Sequence, residues 1–188
     1  MKFRTFTYLL IVTGLVFLSS MNGSYTPGVG LSVGDKAPAI DEELDDGTFF
    51  SLDSLKGKMV LVDFWASYDG KSRIENQTKR ELNKKYQNSS FYNSDSFVIV
   101  SISLDRFKTP FKNAVKRDGL DSFIHLFYSE GKDAEIAQLY GIEDEFVNFL
   151  IDGEGHIVER SSEIDKIADA LKRLESVTYD DFAYRLSE

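Results

Sequence analysis

The sequence has 188 residues, 42% hydrophobic and 13% aromatic, which is enough for one sizeable core and too little for a second domain of ordinary size. Its formal net charge of −9 disfavours nucleic acid and anionic lipid surfaces as partners. The sequence contains no cysteine. That absence fits a reducing compartment or indifference to redox conditions, so it does not locate the protein.

The N-terminus predicts a secretory signal peptide over residues 1–20. Lys2 and Arg4 precede an apolar run, Phe6–Leu18, that is shorter than the roughly 20 residues needed to span a bilayer. An uncleaved anchor is the alternative, and it would be the only membrane contact that the sequence predicts. No cysteine follows the run, which excludes attachment through a lipidated cysteine. We therefore expect a periplasmic or otherwise extracytoplasmic protein.

The composition then divides the rest of the chain into three parts. Residues 21–33 are rich in glycine, serine and asparagine, which predicts a flexible linker. Residues 34–176 form the predicted domain, and residues 177–188 a C-terminal tail. Asp46-Gly47 is a strong hairpin signal near the start of the domain.

A central strand and a capped helix follow the hairpin. Met59–Trp65 is apolar on both faces and only Asp63 interrupts it, as expected of a strand in the middle of a sheet. Two overlapping candidate caps then predict the start of a helix that runs to about Tyr86. Asp69 is a candidate N-cap, and Ser72–Glu75 has the Ser-x-x-Glu form of a capping box.

Downstream of this helix, strands alternate with helices, and the pattern ends in a hairpin and one more helix. This order predicts an α/β fold, with a central mixed β-sheet flanked by helices on both faces. The predicted elements are a strand at Phe97–Leu104, a helix opened by Thr109-Pro110 and closed by Gly119, a strand at His125–Tyr128, a helix at Ala134–Tyr140 capped by Asp133, a hairpin at Phe149–Val158, and a helix capped by Ser162 that reaches Leu174.

The segment that joins the central strand to its helix carries a specific motif. Trp65-Ala66-Ser67-Tyr68 is followed by Asp69-Gly70-Lys71-Ser72-Arg73. This run resembles the Trp-Ala-Ser-aromatic-Cys-Gly-x-Cys-Arg motif of extracytoplasmic thiol-disulfide oxidoreductases, the TlpA-like branch grouped with the alkyl hydroperoxide reductase and thiol-specific antioxidant proteins. The resemblance extends over roughly residues 33–174 and implies a thioredoxin-like fold.

The same resemblance implies that the redox site is lost. Asp69 stands where the relatives have the attacking cysteine, and Ser72 stands where they have the resolving one. Neither side chain can attack a disulfide sulfur. Phe146 stands where the relatives have a cis-proline, and a cis bond before a residue other than proline costs about 2.5 to 4 kcal/mol. We therefore predict a trans peptide before Phe146 and no catalytic residue.

The aromatic and polar residues around the lost redox site predict a binding site. In the resembling fold Trp65, Tyr68 and Phe146 converge beside the helix start, where Asp69 and Lys71 add polar groups. Aromatic side chains offer large contact area with few rotamers to freeze. We therefore predict a non-catalytic module that binds a protein, a peptide or a small ligand at this groove, and the expected partner is a protein or peptide of the cell envelope. The opposing possibility is that Phe146 packs inward and closes the groove.

Other chemistry has weaker support. His125 and His156 lie 31 positions apart and form no helical metal pair, and the acidic residues of 41–46 are typical of a solvated loop. We predict neither metal nor cofactor. Two alternative functions stay open: an enzyme with non-thiol chemistry that uses Asp69, Lys71 and Tyr68 as acid and base groups, and a purely structural accessory protein.

Overall fold

The computed structural model describes residues 28–44 and 47–175. The predicted signal peptide and C-terminal tail lie outside these residues. The last residues of the predicted linker are packed against the domain: Gly30 N–H donates to Lys36 O at 3.0 Å, and Leu31 contacts the core. Within the described residues, the packed part of the chain therefore begins before residue 34.

A five-stranded mixed sheet forms the centre of the fold, as predicted. The strands of the described chain are β1 Asp41–Glu43, β2 Phe49–Ser51, β3 Met59–Trp65, β4 Phe97–Ser103, β5 Ile124–Phe127, β6 Asn148–Ile151 and β7 Ile157–Ser161. The sheet has the strand order β5-β4-β3-β6-β7. Its β3–β4 and β4–β5 pairs are parallel, and its β3–β6 and β6–β7 pairs are antiparallel. A separate antiparallel hairpin joins β1 to β2.

Helices cover both faces of the sheet because successive residues of a strand point to opposite sides. The helices are α1 Gly70–Tyr86, α2 Lys108–Asp118, α3 Glu135–Leu139 and α4 Ile164–Leu174. Val60 and Phe64 of β3 belong to one apolar cluster with α3, whereas Leu61 and Trp65 belong to a second cluster with α1, α2 and α4. Among the described residues, no helix is both long and apolar enough to cross a membrane.

Gly119 ends α2 as predicted. Its φ of +69° lies in the left-handed region that glycine adopts without strain. The start of α2 differs from the prediction, because the helix begins at Lys108 and Pro110 is its third residue. Proline is tolerated there, since the first four N–H groups of a helix have no partner within the helix.

Two predicted helix caps are wrong. Asp133 lies in a 3-10 turn, and the residue at the cap of α3 is Ala134. Ser162 does not cap α4, whose cap position is taken by Glu163. The neighbouring Ser161 hydroxyl accepts from Glu163 N–H at 3.0 Å instead. A short polar side chain marks the start of a helix to within a residue or two, and the surrounding turn decides which group bonds.

The Asp-Gly hairpin is confirmed by the pairing of β1 with β2, and Gly47 has a φ of +80°. The acidic segment before it differs from the prediction, because Asp41, Glu42 and Glu43 form strand β1 and not a loop.

Candidate functional site

The motif turn places Asp69 at the start of α1. Its N–H donates to Ala66 O at 3.1 Å, which closes the turn after β3, and its Oδ2 accepts from Ser72 N–H at 2.7 Å. The predicted Asp69 cap is therefore confirmed. The overlapping capping box is wrong, because Ser72 is already the third residue of α1 and its side chain is buried.

Asp69→Ala is expected to lower the free energy of unfolding by about 0.5 to 2 kcal/mol, because one helix N–H loses its acceptor. Asp69→Asn keeps a side-chain oxygen and should stay within a few tenths of a kcal/mol of the wild type. Urea denaturation followed by circular dichroism measures both. A stabilising Asp69→Ala would mean that the carboxylate is kept at a cost to stability, which would point to a functional role.

A buried carboxylate that the sequence did not single out fixes the motif turn to the sheet. Asp105, directly after β4, accepts from Ser67 N–H at 2.9 Å and from the Ser103 hydroxyl at 2.8 Å. The Ser67 hydroxyl donates to its other oxygen at 2.5 Å. The conformation of the turn thus depends on a residue 38 positions away.

An ion pair between Arg73 and Asp118 anchors α1 to the end of α2. Arg73 donates through two guanidinium nitrogens to the carboxylate of Asp118, and Asn76 donates to the same group at 2.8 Å. Burial raises the pKa of Asp118, but the hydrogen bonds from Arg73 and Asn76 outweigh burial, so the pKa lies below its usual value. Arg73 of the motif therefore has a structural contact that holds the two helices together.

A pocket of about 230 Å³ opens beside the start of α1. One wall is Asp69, Lys71, Ser72 and Glu75, and the facing loop is Asp144–Phe146. Asn148, at the start of β6, also lines it. The two relict redox positions thus border an open space.

Four of the predicted binding residues lie at or near this pocket. Asp69, Lys71 and Phe146 line it, and Tyr68 is 67% exposed on the preceding turn. Burial and then the neighbouring Asp105 and Asp69 carboxylates raise the pKa of Tyr68. These residues come from two segments of the chain that lie more than 70 positions apart, as the resemblance implied.

Trp65 does not lie on this surface, so its predicted place among exposed aromatic residues is wrong. Its side chain is 0% exposed, packs in the cluster with Phe111, and donates through Nε1–H to the Ser101 hydroxyl at 2.7 Å. The side chain points into the sheet–helix interface because Trp65 shares the strand face of Leu61, which also lies in that cluster.

The sequence left open whether Phe146 borders an open groove or packs inward, and the structure shows both features. Its side chain is half-buried against the core, and the Lys132 ammonium lies 4.9 Å from the centre of its ring. The pocket nevertheless remains beside it. No peptide bond between described residues is cis, so the predicted trans peptide before Phe146 is confirmed.

The pocket also contains residues that sequence reasoning missed. Glu75 is half-buried, and burial raises the pKa of its carboxyl above the usual value. The only signal for it was its spacing from Ser72, which we interpreted as a capping box. Asp144 and Glu145 carried no recognisable sequence signal. Asn148 begins a stretch, residues 148–152, that contributes to the family resemblance, but no signal marked its side chain as part of a site. Lys71 bonds Glu163 of the neighbouring α4 cap at 3.0 Å, and this hydrogen bond raises the pKa of Lys71.

A buried ion pair joins α1 to the central strand. The Lys79 ammonium, on α1, is 2.6 Å from Asp63 Oδ1 in the middle of β3, and the two side chains are only 1% and 2% exposed. Asp63 was the one interruption in the predicted strand, and Lys79 is its partner across the sheet–helix interface. This pair holds α1 over the central strand.

The histidines lie elsewhere. His125 bonds Leu120 O through Nε2 at 2.9 Å, and burial lowers its pKa. It lines a larger pocket of about 440 Å³ between α2 and β5. Of the residues that the structure describes, none lines both this pocket and the pocket at Asp69. Nδ1 of His156 lies 3.8 Å from Oδ1 of Asp152. Over residues 28–44 and 47–175, no three His, Asp or Glu side chains are grouped as metal ligands.

The mixed sheet, the helices on both faces and the capped helix start after the central strand define a thioredoxin-like α/β protein. The chain belongs to the thioredoxin-like family, whose sequence model matches residues 57–157. Two similar proteins are the thiol-disulfide oxidoreductases ResA of Bacillus thuringiensis and Bacillus anthracis. Each is 27% identical over 152 residues, or 81% of this chain and 82% of the relative.

Solved structures agree with this assignment. The thioredoxin domain of a thiol-disulfide oxidoreductase from Bacteroides vulgatus has a TM-score of 0.65 and 26% identity, and the match covers 77% of this chain and 98% of that one. A thioredoxin-like protein from Parabacteroides distasonis is 32% identical with a TM-score of 0.58, over 76% of this chain and 96% of its own. The predicted family and fold are confirmed. This member has no cysteine.

Proposed function

We propose that this chain is a redox-inactive, non-catalytic member of the family that binds a protein or peptide segment at the pocket beside the start of α1. The observation that carries the proposal is that the pocket stays open at the two relict redox positions, Asp69 and Ser72. An exposed aromatic, Tyr68, lies on the adjoining turn. Exposed aromatic residues beside a concave surface are typical of protein recognition.

Catalysis by thiol exchange requires a thiolate, and the chain has none. Two contacts also argue against non-thiol chemistry. Asp69 uses a carboxylate oxygen to cap α1, and the Lys71 ammonium is paired with Glu163. A purely structural role would leave the open pocket and the exposed Tyr68 without a purpose. Binding is therefore the function that the geometry supports best.

We further propose that the protein acts in the cell envelope. The support is the predicted signal peptide at residues 1–20 and the resemblance of the motif to extracytoplasmic oxidoreductases. The partner would then be an envelope protein or a peptide segment of one.

Site-specific photocrosslinking tests the proposed function. The full chain is expressed in its own cells with benzoylphenylalanine in place of Tyr68 or, as a control, in place of Tyr92, an exposed tyrosine that does not line the pocket. We expect one discrete adduct from position 68 and a different pattern from position 92.

The dependence of this adduct on the pocket decides the outcome. Phe146→Ala should reduce the yield of the position-68 adduct at least fivefold, whereas Leu139→Ala, which truncates an exposed apolar side chain on α3, should not. Identical adducts from positions 68 and 92, or a yield unchanged by Phe146→Ala in a folded variant, would show that another face binds the partner. Phe146→Leu removes the ring but leaves a smaller cavity than Phe146→Ala, so it serves as a second folded variant.

A further inference from the structure

The pocket at the start of α1 is strongly acidic. Asp69, Glu75, Asp144 and Glu145 line it, and Lys71 is the one basic residue among the described residues that line it. The Lys71 charge is largely offset by its bond to Glu163, at 3.0 Å. An acidic concave surface attracts positively charged groups and repels acidic ones.

A buried acceptor in the same pocket has no donor. Asn148 lines the pocket and is 2% exposed, and its Oδ1 has no hydrogen-bond partner among the described residues. Its backbone is paired on both sides, with Asp63 of β3 and with Ser161 of β7, which fixes the residue beside the pocket. The buried amide has to turn about its own side-chain bonds for a donor in the pocket to reach Oδ1. A buried polar atom without a partner is unfavourable and rare in folded proteins.

The size of the pocket limits what fits. At about 230 Å³ it lies below the usual range for drug-sized ligands, which begins near 300 Å³. It is suited to a single side chain of a larger partner. A long aliphatic chain with a cationic end can pack its stem on Phe146 and place its N–H donors deeper in the pocket.

We propose that this pocket receives a lysine or arginine side chain of the partner, whose N–H groups donate to Asn148 Oδ1 and whose charge is balanced by the surrounding carboxylates. The proposal rests on the proposed function and names the chemistry that the groove selects. Specificity would come from the missing donor as well as from charge, because an apolar side chain of equal length leaves Asn148 unpaired.

The raised pKa of Glu75 supports the proposal that the pocket receives a cationic side chain. Its half-buried carboxyl has a raised pKa because burial disfavours the charge, although Lys79 and Lys71 oppose this effect and Asp63 adds to it. A cation bound beside it favours the ionised form. Binding should therefore lower the pKa of Glu75.

Peptide titrations test the proposal. We would titrate the full chain, labelled with ¹⁵N, with four peptides, acetyl-Gly-Ala-Xaa-Ala-Gly-amide, where Xaa is lysine, arginine, norleucine or glutamate. We expect the lysine and arginine peptides to shift the resonances of Lys71, Glu75 and Asn148, and to bind at least tenfold more tightly than the norleucine peptide. The preference should weaken between 50 and 500 mM salt, since it is electrostatic.

Three variants separate the proposal from a general effect of charge. Glu75→Gln with Asp144→Asn should abolish the tenfold preference for lysine. Glu81→Gln with Glu135→Gln changes the net charge equally at exposed positions outside the pocket and should preserve it. Asn148→Leu removes the unpaired acceptor, so it should weaken lysine binding while leaving the folded state at least as stable.

Equal binding of the norleucine and lysine peptides at the pocket would overturn the cationic assignment and leave the proposed function standing. A preference that survives Glu75→Gln with Asp144→Asn would also overturn it. If none of the four peptides shifts the pocket resonances, the cationic proposal fails. The proposed function fails as well only if the photocrosslinking at position 68 also gives no pocket-dependent adduct.

Discussion

Lys79→Met is expected to lower the free energy of unfolding by about 3 to 5 kcal/mol, because it leaves the carboxylate of Asp63 buried without its partner. The two side chains are almost wholly buried and their charged atoms lie 2.6 Å apart. Urea denaturation followed by circular dichroism measures the loss. Methionine keeps the length and packing of the lysine stem, so a cavity does not account for it.

The matched control removes both charges. Asp63→Leu with Lys79→Met replaces the pair by apolar side chains, and we expect its stability to equal that of the wild type or to exceed it by about 1 to 4 kcal/mol. A double variant as unstable as Lys79→Met alone would mean that the residues contribute through packing and not through charge. A loss below about 1 kcal/mol for Lys79→Met would mean that water reaches Asp63 and that the pair is not buried in solution.

The second large effect is the return of redox chemistry. The wild-type chain should reduce insulin disulfides no faster than buffer, because no residue can form a mixed disulfide. Asp69→Cys with Ser72→Cys should form an intramolecular disulfide under mild oxidant and reduce insulin when supplied with a dithiol. The cysteine at position 69 would occupy the N-cap, where the free N–H groups and the helix dipole stabilise a thiolate.

Thiol counting before and after oxidation, together with insulin turbidity, measures this gain. The control is Asp69→Cys alone, which provides the attacking thiol without a resolving one and should not sustain turnover. A double variant that keeps two free thiols under oxidant would show that positions 69 and 72 are not the relict redox pair. Reduction of insulin by the cysteine-free wild type would refute the premise itself.

Much of the fold could be predicted from local pattern. The continuous apolar run of β3, the left-handed glycine that ends α2 and the Asp-Gly hairpin each have one favourable backbone solution, so the structure matches the expectation closely. Helix starts were less predictable. Of the four side chains proposed as caps, Asp69 bonds as expected, whereas Ser72, Asp133 and Ser162 do not.

Residue identity in local motifs was enough to predict the thioredoxin-like family, the loss of the thiols and the cap at Asp69. The burial of Trp65, the neutralisation of Asp63 by Lys79 and the position of Asn148 beside an acidic pocket could be seen only in the folded chain. Side-chain burial, charge pairing and the donors available to a buried amide depend on segments brought together by the sheet, and residue spacing along the chain does not encode those distances.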